Sequence, residues 1–352
     1  MNNLIKALLI TVVLLLVIST EIFAGGQNRA GTSAAPELLI PIGARYLSMG
    51  GAPIGDATGI ESIFWNPAGL DRSEQSANAF FSNRRFIADI SINTFAVSGK
   101  FGLGSVGLSL RSYNIGDINE TTVDAPDGTG AIFSPTYFTA GLTYSRQVAD
   151  RISVGVNANV ISESFARVNA TGFSFDIGVQ YTNLVGVEGL STGIVVKGIG
   201  PAMKYGGSGL WVPANATGSD RGVSYYQVGA ASFDLPSVIE IGLSYDLRMD
   251  DMNLLSVAGS FQNNNYAYDE YRFGVEYSYD KTLFVRVGNN FAANVPSGQQ
   301  NVFENPKTLQ NITFGVGVNI KDVGGTNISL DYAFVPVEFF DNNHVIEVRV
   351  GF

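Results

Sequence analysis

From residue 77 onward, hydrophobic and polar positions alternate with a period of two, the repeat of a strand with one apolar and one polar face. Over 172–181 the apolar set is Phe173, Phe175, Ile177, Val179 and Tyr181, opposed by Ser174, Asp176, Gly178 and Gln180. In 238–248, Ile239, Ile241, Leu243, Tyr245 and Leu247 oppose Glu240, Gly242, Ser244, Asp246 and Arg248. The stretches 152–160 and 312–320 repeat the pattern. Apolar faces often begin or end in Tyr or Phe, as interfacial girdles do, and polar faces carry the Gly, Ser, Asn and scattered charge that a plugged or watery lumen tolerates. A secreted sandwich alternates too, but its outward face would be richer in Lys, Glu and Thr.

The alternation predicts strands near 77–84, 89–99, 103–113, 134–147, 151–164, 171–183, 191–199, 237–248, 252–262, 270–279, 282–290, 309–320, 326–335 and 344–352. That makes fourteen, an even number, as a closed bacterial barrel requires. Connections alternate in length. The long ones, 114–133, 200–236 and 291–308, fall at one end with the medium ones 165–170, 263–269 and 336–343. The short ones fall at the other, which is the pattern of external loops and periplasmic turns. The segment 223–233 is assigned to a loop, because one extra strand would break the parity. The expected fold is an all-β transmembrane antiparallel barrel over 77–352.

The first 24 residues carry the parts of a secretory signal: Lys6, an apolar stretch from Ala7 to Ile18, and Ala24 before a cleavage point at Gly25. The apolar run falls short of the ~20 residues a spanning helix needs. At the far end, Ile346, Val348, Val350 and Phe352 alternate with Glu347, Arg349 and Gly351. Outer-membrane barrels commonly finish on such an aromatic, and this resemblance implies recognition by the barrel-assembly machinery.

Composition narrows the chemistry. Only 15% of residues are charged, against about 25% in a typical globular domain, and 41 glycines make up about 12% of the chain against a usual ~7%. A formal charge of −10 argues against a nucleic-acid partner, since no basic excess exists to displace counterions from phosphates. Cysteine is absent and His344 is the single histidine, so thiol chemistry, disulfides and a His-rich metal site are excluded and a Ser-His-Asp hydrolase is disfavoured. No catalytic, metal or cofactor residue emerges, and outer-membrane lipid is the expected surrounding. Asp176, Glu240, Asp246, Arg248, Glu276, Arg286, Asp331, Glu347 and Arg349 fall on the inward parity and are read as ion pairs holding the interior together. Phe284 and Phe101 are placed inward by the same count.

Residues 25–76 do not alternate. They contain Gly43-Ala-Arg45-Tyr-Leu-Ser-Met49-Gly50-Gly51-Ala52 and Phe64-Trp65-Asn66-Pro67-Ala68-Gly69-Leu70. The glycines lack the preceding strand and the Gly-Lys-Ser/Thr of a phosphate loop. They suit a compact plug instead: small residues allow close backbone packing, and Asn-Pro sets a turn whose Asn can cap neighbouring amides. Asn66 is expected to be hydrogen-bonded in the lumen, with polar partners from the inward parity.

These motifs resemble the N-terminal hatch of the PorV/PorQ family of outer-membrane proteins, a branch of the FadL-like superfamily whose hatch also carries Asn-Pro-Ala, here Asn66, Pro67 and Ala68. Gly198-Ile-Gly200-Pro201, Leu235-Pro236 and Leu330-Asp331-Tyr332 resemble later segments of the same family. The resemblance implies a barrel of about fourteen strands with an N-terminal hatch. It further implies a component of the type IX secretion system, whose PorV-like members work with the translocon and bind cargo through its C-terminal domain. The alternatives are a FadL-like passive channel for hydrophobic small molecules, which requires an apolar pocket in the barrel and a lateral gap between strands, and a structural or adhesive surface barrel.

Overall fold

The computed structural model describes residues 29, 31–215, 222–292, 312–337 and 340–352. The leader 1–24 and nearly all of the connection 291–308 lie outside the described residues. Fourteen antiparallel strands form a closed barrel: β1 (Ala77–Arg85), β2 (Ser91–Phe101), β3 (Gly104–Asn114), β4 (Thr136–Ala149), β5 (Ile152–Phe165), β6 (Val168–Thr182), β7 (Leu190–Ile199), β8 (Val238–Arg248), β9 (Asn253–Asn264), β10 (Glu270–Tyr279), β11 (Leu283–Ala292), β12 (Ile312–Val323), β13 (Thr326–Val335) and β14 (Asn343–Gly351). Each strand pairs with its neighbour in sequence, and β14 closes on β1 with Val348 opposite Phe81. Closure leaves no unpaired edge, which is the condition for a sheet to stand in lipid. Phe352 extends the seam, donating its amide to the Ala77 carbonyl at 2.9 Å.

The alternation resolves into an outward apolar face and an inward polar one. Phe95, Val97, Leu108, Leu142, Phe173 and Val316 are each about half exposed, whereas Thr94, Ser109, Thr143, Ser174 and Thr313 on the other face are buried. Ile346, Val348, Val350 and Phe352 all stand on the outward side, in keeping with the burial alternation along β14. An apolar outer surface around a polar interior is the reverse of a soluble domain and requires lipid outside.

Two details differ from the sequence expectation, at Phe101 and at the connection 165–170. Phe101 does not face the lumen: the β2 alternation runs unbroken through Thr94, Ala96 and Ser98, so Phe101 shares the outward side with Phe95 and Val97 and is 63% exposed. Phe284 does point inward, where the Arg286 guanidinium lies 5.0 Å from its ring centroid. The expected connection 165–170 shrinks to a tight turn, because Phe165 pairs directly with Val168 and both strands run further out. His344 belongs to β14, where its Nδ1 meets the Tyr332 hydroxyl at 2.7 Å. The long connections carry small sheets of their own. Trp211–Ala214 pairs with Ser224–Gln227 inside one loop, so the 223–233 segment adds nothing to the wall.

Among the described residues, the segment before β1 supplies no barrel strand. It holds two short helices, α1 (Ala44–Leu47) and α2 (Ser62–Trp65), and the 3-10 turns Pro36–Leu39 and Pro67–Arg72. At the loop end, Ala34 donates its amide to the Asp234 carbonyl at 2.9 Å. At the turn end, Asp71 accepts from Ser105 Oγ at 2.7 Å and from the Gln147 amide at 2.9 Å. The segment therefore runs the length of the lumen, from the end with the long connections to the end with the short turns.

Candidate functional site

The inner segment sits close against the wall because the wall has no side chains where it touches. An added Cβ on Gly178 would lie 2.0 Å from Asn66 Oδ1, on Gly155 2.3 Å from Pro67, and on Gly288 2.0 Å from the Gly50 nitrogen. Gly193, Gly274 and Gly315 are occupied in the same way by Ile54, Met49 and Ser48. These inward glycines trace a track around the barrel that follows the course of the hatch.

Asn66 closes the best-fitted contact. Its Nδ2 donates to the carbonyls of Ile54 at 3.2 Å and Val179 at 3.3 Å, while its Oδ1 accepts from the Ala68 amide at 3.2 Å. One partner is thus the backbone of Val179, whose side chain faces lipid. The expectation of inward-parity partners alone fails because bare Gly178 exposes the strand's own carbonyl row. Pro67 opens the 3-10 turn without wasting an amide, and Gly69 is forced by Ala57, whose carbonyl oxygen would lie 1.7 Å from a Cβ.

The other hatch-motif residues converge on the opposite wall. Gly43 adopts φ +87° just before α1, and Glu347 Oε2 reaches past it to accept the Ala44 amide at 2.6 Å. Arg45 pairs with Glu276 at 3.5 Å and with Glu61 at 3.9 Å. Met49 lies over Gly274, and Gly50 donates its amide to Thr313 Oγ1 at 3.2 Å. Gly51 packs on the Trp65 ring, whose Nε1 donates to the Ile42 carbonyl at 3.0 Å.

A buried charge cluster joins this part of the hatch to β10–β14. Arg286 bonds Glu276 through Nε and Asp331 through a terminal nitrogen at 2.6 Å. Arg349 reaches Asp331 at 2.7 Å, Glu61 at 2.9 Å and Glu347 at 3.0 Å. A second cluster links Lys197 to Glu240 at 2.8 Å, and Arg272 to Glu240 at 3.3 Å and Glu270 at 2.7 Å. The alternation legible in the sequence identified Glu240, Glu276, Arg286, Asp331, Glu347 and Arg349 as inward. It missed Glu37 and Glu61, which lie in a segment with no period to read.

Above the hatch is a cavity of about 610 Å³. Apolar and aromatic groups make up most of its wall, among them Leu39, Trp65, Phe86, Ile90, Tyr113 and Ile115, with Arg84, Glu37, Glu270, Arg272, Gln262 and Asn264 among its polar members. Arg84 donates to the Pro41 carbonyl at 2.9 Å and lies 4.7 Å from the Phe86 ring centroid. A smaller cavity of about 60 Å³ borders the first through Leu39, Ile40, Pro41 and Trp65, and reaches Asp176, Gly198 and Pro236 in the wall. There the β6–β7 ladder slips: Phe175 pairs with Ile199 but Ile177 with Val196, so β7 carries one extra residue. Gly198 at φ +72° turns its amide onto Asp176 Oδ1 at 2.9 Å. Bulges of this kind bend a strand and interrupt its pairing.

Fourteen closed strands and an apolar exterior, around an inner segment packed against the wall, define an outer-membrane β-barrel. No family model matches the chain, and no curated protein matches it in sequence. Solved structures do match. The chain is similar to the Pseudomonas putida toluene transporter TodX, at TM-score 0.55 and 12% identity over 89% of this chain and 97% of that one. It is also similar to the Ralstonia pickettii toluene transporter TbuX, at TM-score 0.51 and 13% identity over 88% and 98%. A Pseudomonas aeruginosa FadL homologue matches at TM-score 0.51 and 11% identity over 91% and 99%. At these identities the likeness is one of fold, the FadL-type barrel.

Proposed function

We propose that this protein is a passive outer-membrane channel for small hydrophobic molecules. The observation that carries the reading is the cavity of about 610 Å³ within the barrel above the hatch, lined mostly by apolar side chains. A lumen built only to be sealed has no use for such a space, and ligand pockets are typically apolar concavities with a few polar groups. The FadL-type fold supports the same reading, since the similar structures include toluene transporters. The lateral gap that this function requires is assigned to the β6–β7 bulge, because the smaller cavity runs from the hatch to that point of the wall. An apolar solute leaving there would enter lipid without crossing the polar lower lumen. The type IX secretion reading gains no comparable observation.

Purified protein in liposomes should speed the entry of toluene over protein-free vesicles while leaving a polar sugar of similar size excluded. Ile115→Trp, which narrows the cavity from a position outside the ion clusters, should slow toluene entry several-fold without changing sugar exclusion. Equal entry of toluene with and without the protein would overturn the proposal.

A further inference from the structure

The hatch is held to the wall differently on its two sides. Toward β10–β14 it is clamped by guanidinium–carboxylate pairs. Toward β3–β6 the hydrogen bonds of Asn66 and Asp71 are joined, nearer the loop end, by a meeting of two acids. Glu37, in the 3-10 turn Pro36–Leu39, is 3% exposed, and Glu163 on β5 is 2% exposed. Among the described residues neither carboxyl oxygen of Glu37, nor Oε1 of Glu163, has a hydrogen-bond donor. The Tyr205 hydroxyl, from the loop after β7, satisfies the other oxygen of Glu163. Of the groups facing the pair, Arg111 is a cation that draws the Glu37 carboxyl down, but by less than burial and Glu163 raise it. Arg111 on β3 donates to the Tyr113 hydroxyl at 3.1 Å, Tyr113 donates to the Glu37 carbonyl at 2.8 Å, and Tyr137 on β4 is a neutral phenol nearby.

Ala35 and Leu38, on either side of Glu37, pack with Ile161, Ala170 and Tyr205 beside Glu163, so a proton held on Glu37 satisfies oxygens that are otherwise orphaned. Burial first, and then the neighbouring Glu163 charge, push the Glu37 carboxyl up to about 8. The residues just after Glu37 matter for the cavities: Leu39, Ile40 and Pro41 line both the large one and the small one that reaches the β6–β7 bulge. Whatever releases this strap from the wall alters the partition between them.

We propose that Glu37, seated against Glu163, is a proton-held latch that docks the strap 36–41 on the barrel wall and opens when Glu37 gives up its proton. The sign follows from linkage. The docked strap binds a proton that the free strap releases at the ordinary carboxyl pKa, so docking is strongest in acid. It weakens by up to about tenfold per pH unit from about 4.5 toward about 8, and then levels off. The role of the latch as a gate rests on the channel reading above; the latch itself does not.

Amide hydrogen exchange of the intact protein in detergent tests it. The reporters are the strap amides of Leu38 and Ile40, which donate to the Ala35 and Glu37 carbonyls. Glu37→Gln keeps the shape and replaces the held proton with a permanent amide donor, so it provides the reference for base-catalysed exchange. The wild-type rate at these amides, divided by the Glu37→Gln rate, should rise at least tenfold between pH 5 and pH 8. Amides of the arginine-clamped helix α1 should show no such rise. Glu163→Gln should abolish the rise in the same way, which guards against a defect peculiar to one variant. A ratio that stays flat across this range would overturn the latch. Toluene entry into liposomes at the two pH values reads the gate separately. Faster entry at pH 8 in wild type, but not in Glu37→Gln, supports gating. Exchange that switches while toluene never enters at either pH would retain the latch and discard the channel reading.

Discussion

Glycine on the inner face of the wall determines how near the hatch backbone approaches each strand. At Gly178 and Gly288 the hatch fills the space of the missing side chain, down to 2.0 Å from an ideal Cβ. Gly178→Val should therefore cost about 1–3 kcal/mol by overpacking and push Asn66 out of its seat. Higher single-channel conductance in planar bilayers, with insertion unchanged, is the expected result. The ion cluster behaves differently, because its members are buried charges. Arg286→Met leaves Glu276 with only the longer Arg45 contact and removes one of two guanidiniums from Asp331. The expected loss is about 3–5 kcal/mol, the usual penalty for orphaning a buried charge. Heat-modifiability on gels should show it as a lower unfolding temperature. Adding Glu276→Gln to the Arg286→Met variant should recover part of the loss, since the two changes share one contact and do not add.

At the scale of elements, the seam between β1 and β14 closes the sheet and also places the chain's terminal aromatic. Phe352 is 55% exposed and bonds to β1 only through its backbone. Removing its ring costs at most ~2–3 kcal/mol of apolar contact by area, which a fourteen-strand ladder should survive once formed. Phe352→Ala should accordingly lower the yield of inserted protein while leaving the heat-modifiability of the inserted fraction normal. That combination identifies the residue as a signal for assembly. Unchanged yield would assign it to packing alone.

For the whole molecule, the barrel and its filling are separable in principle. The wall's hydrogen bonds run strand to strand around a closed ring, and none of them needs the hatch. Deletion of 31–70 should leave a barrel that inserts and conducts small ions well above the intact protein. It should also lose any preference for toluene over a polar sugar, because the floor of the cavity, including Leu39, Ile40 and Trp65, goes with the segment. Conductance equal to that of the intact protein would mean that 31–70 does not block the lumen.

The period of two determined the wall. Fourteen strands, their outward faces and the end that carries long loops were legible because side-chain direction in a strand depends only on position parity, and lipid outside makes that parity visible. The inward charges Glu276, Arg286, Asp331 and Glu347 were legible for the same reason. Parity failed only where a strand end was misjudged, as at Phe101, where β2 continues without a break. The motif residues Gly43 to Gly51 and Trp65 to Gly69 marked a compact segment by their small side chains and turn chemistry. Which wall residues they would meet was not written there. Glu37 against Glu163, Asn66 against the Val179 carbonyl and the apolar cavity above Trp65 all join positions far apart in sequence. Those contacts depend on how a non-periodic segment threads a closed barrel, a choice fixed by long-range packing against bare glycines and buried charges that no local pattern encodes.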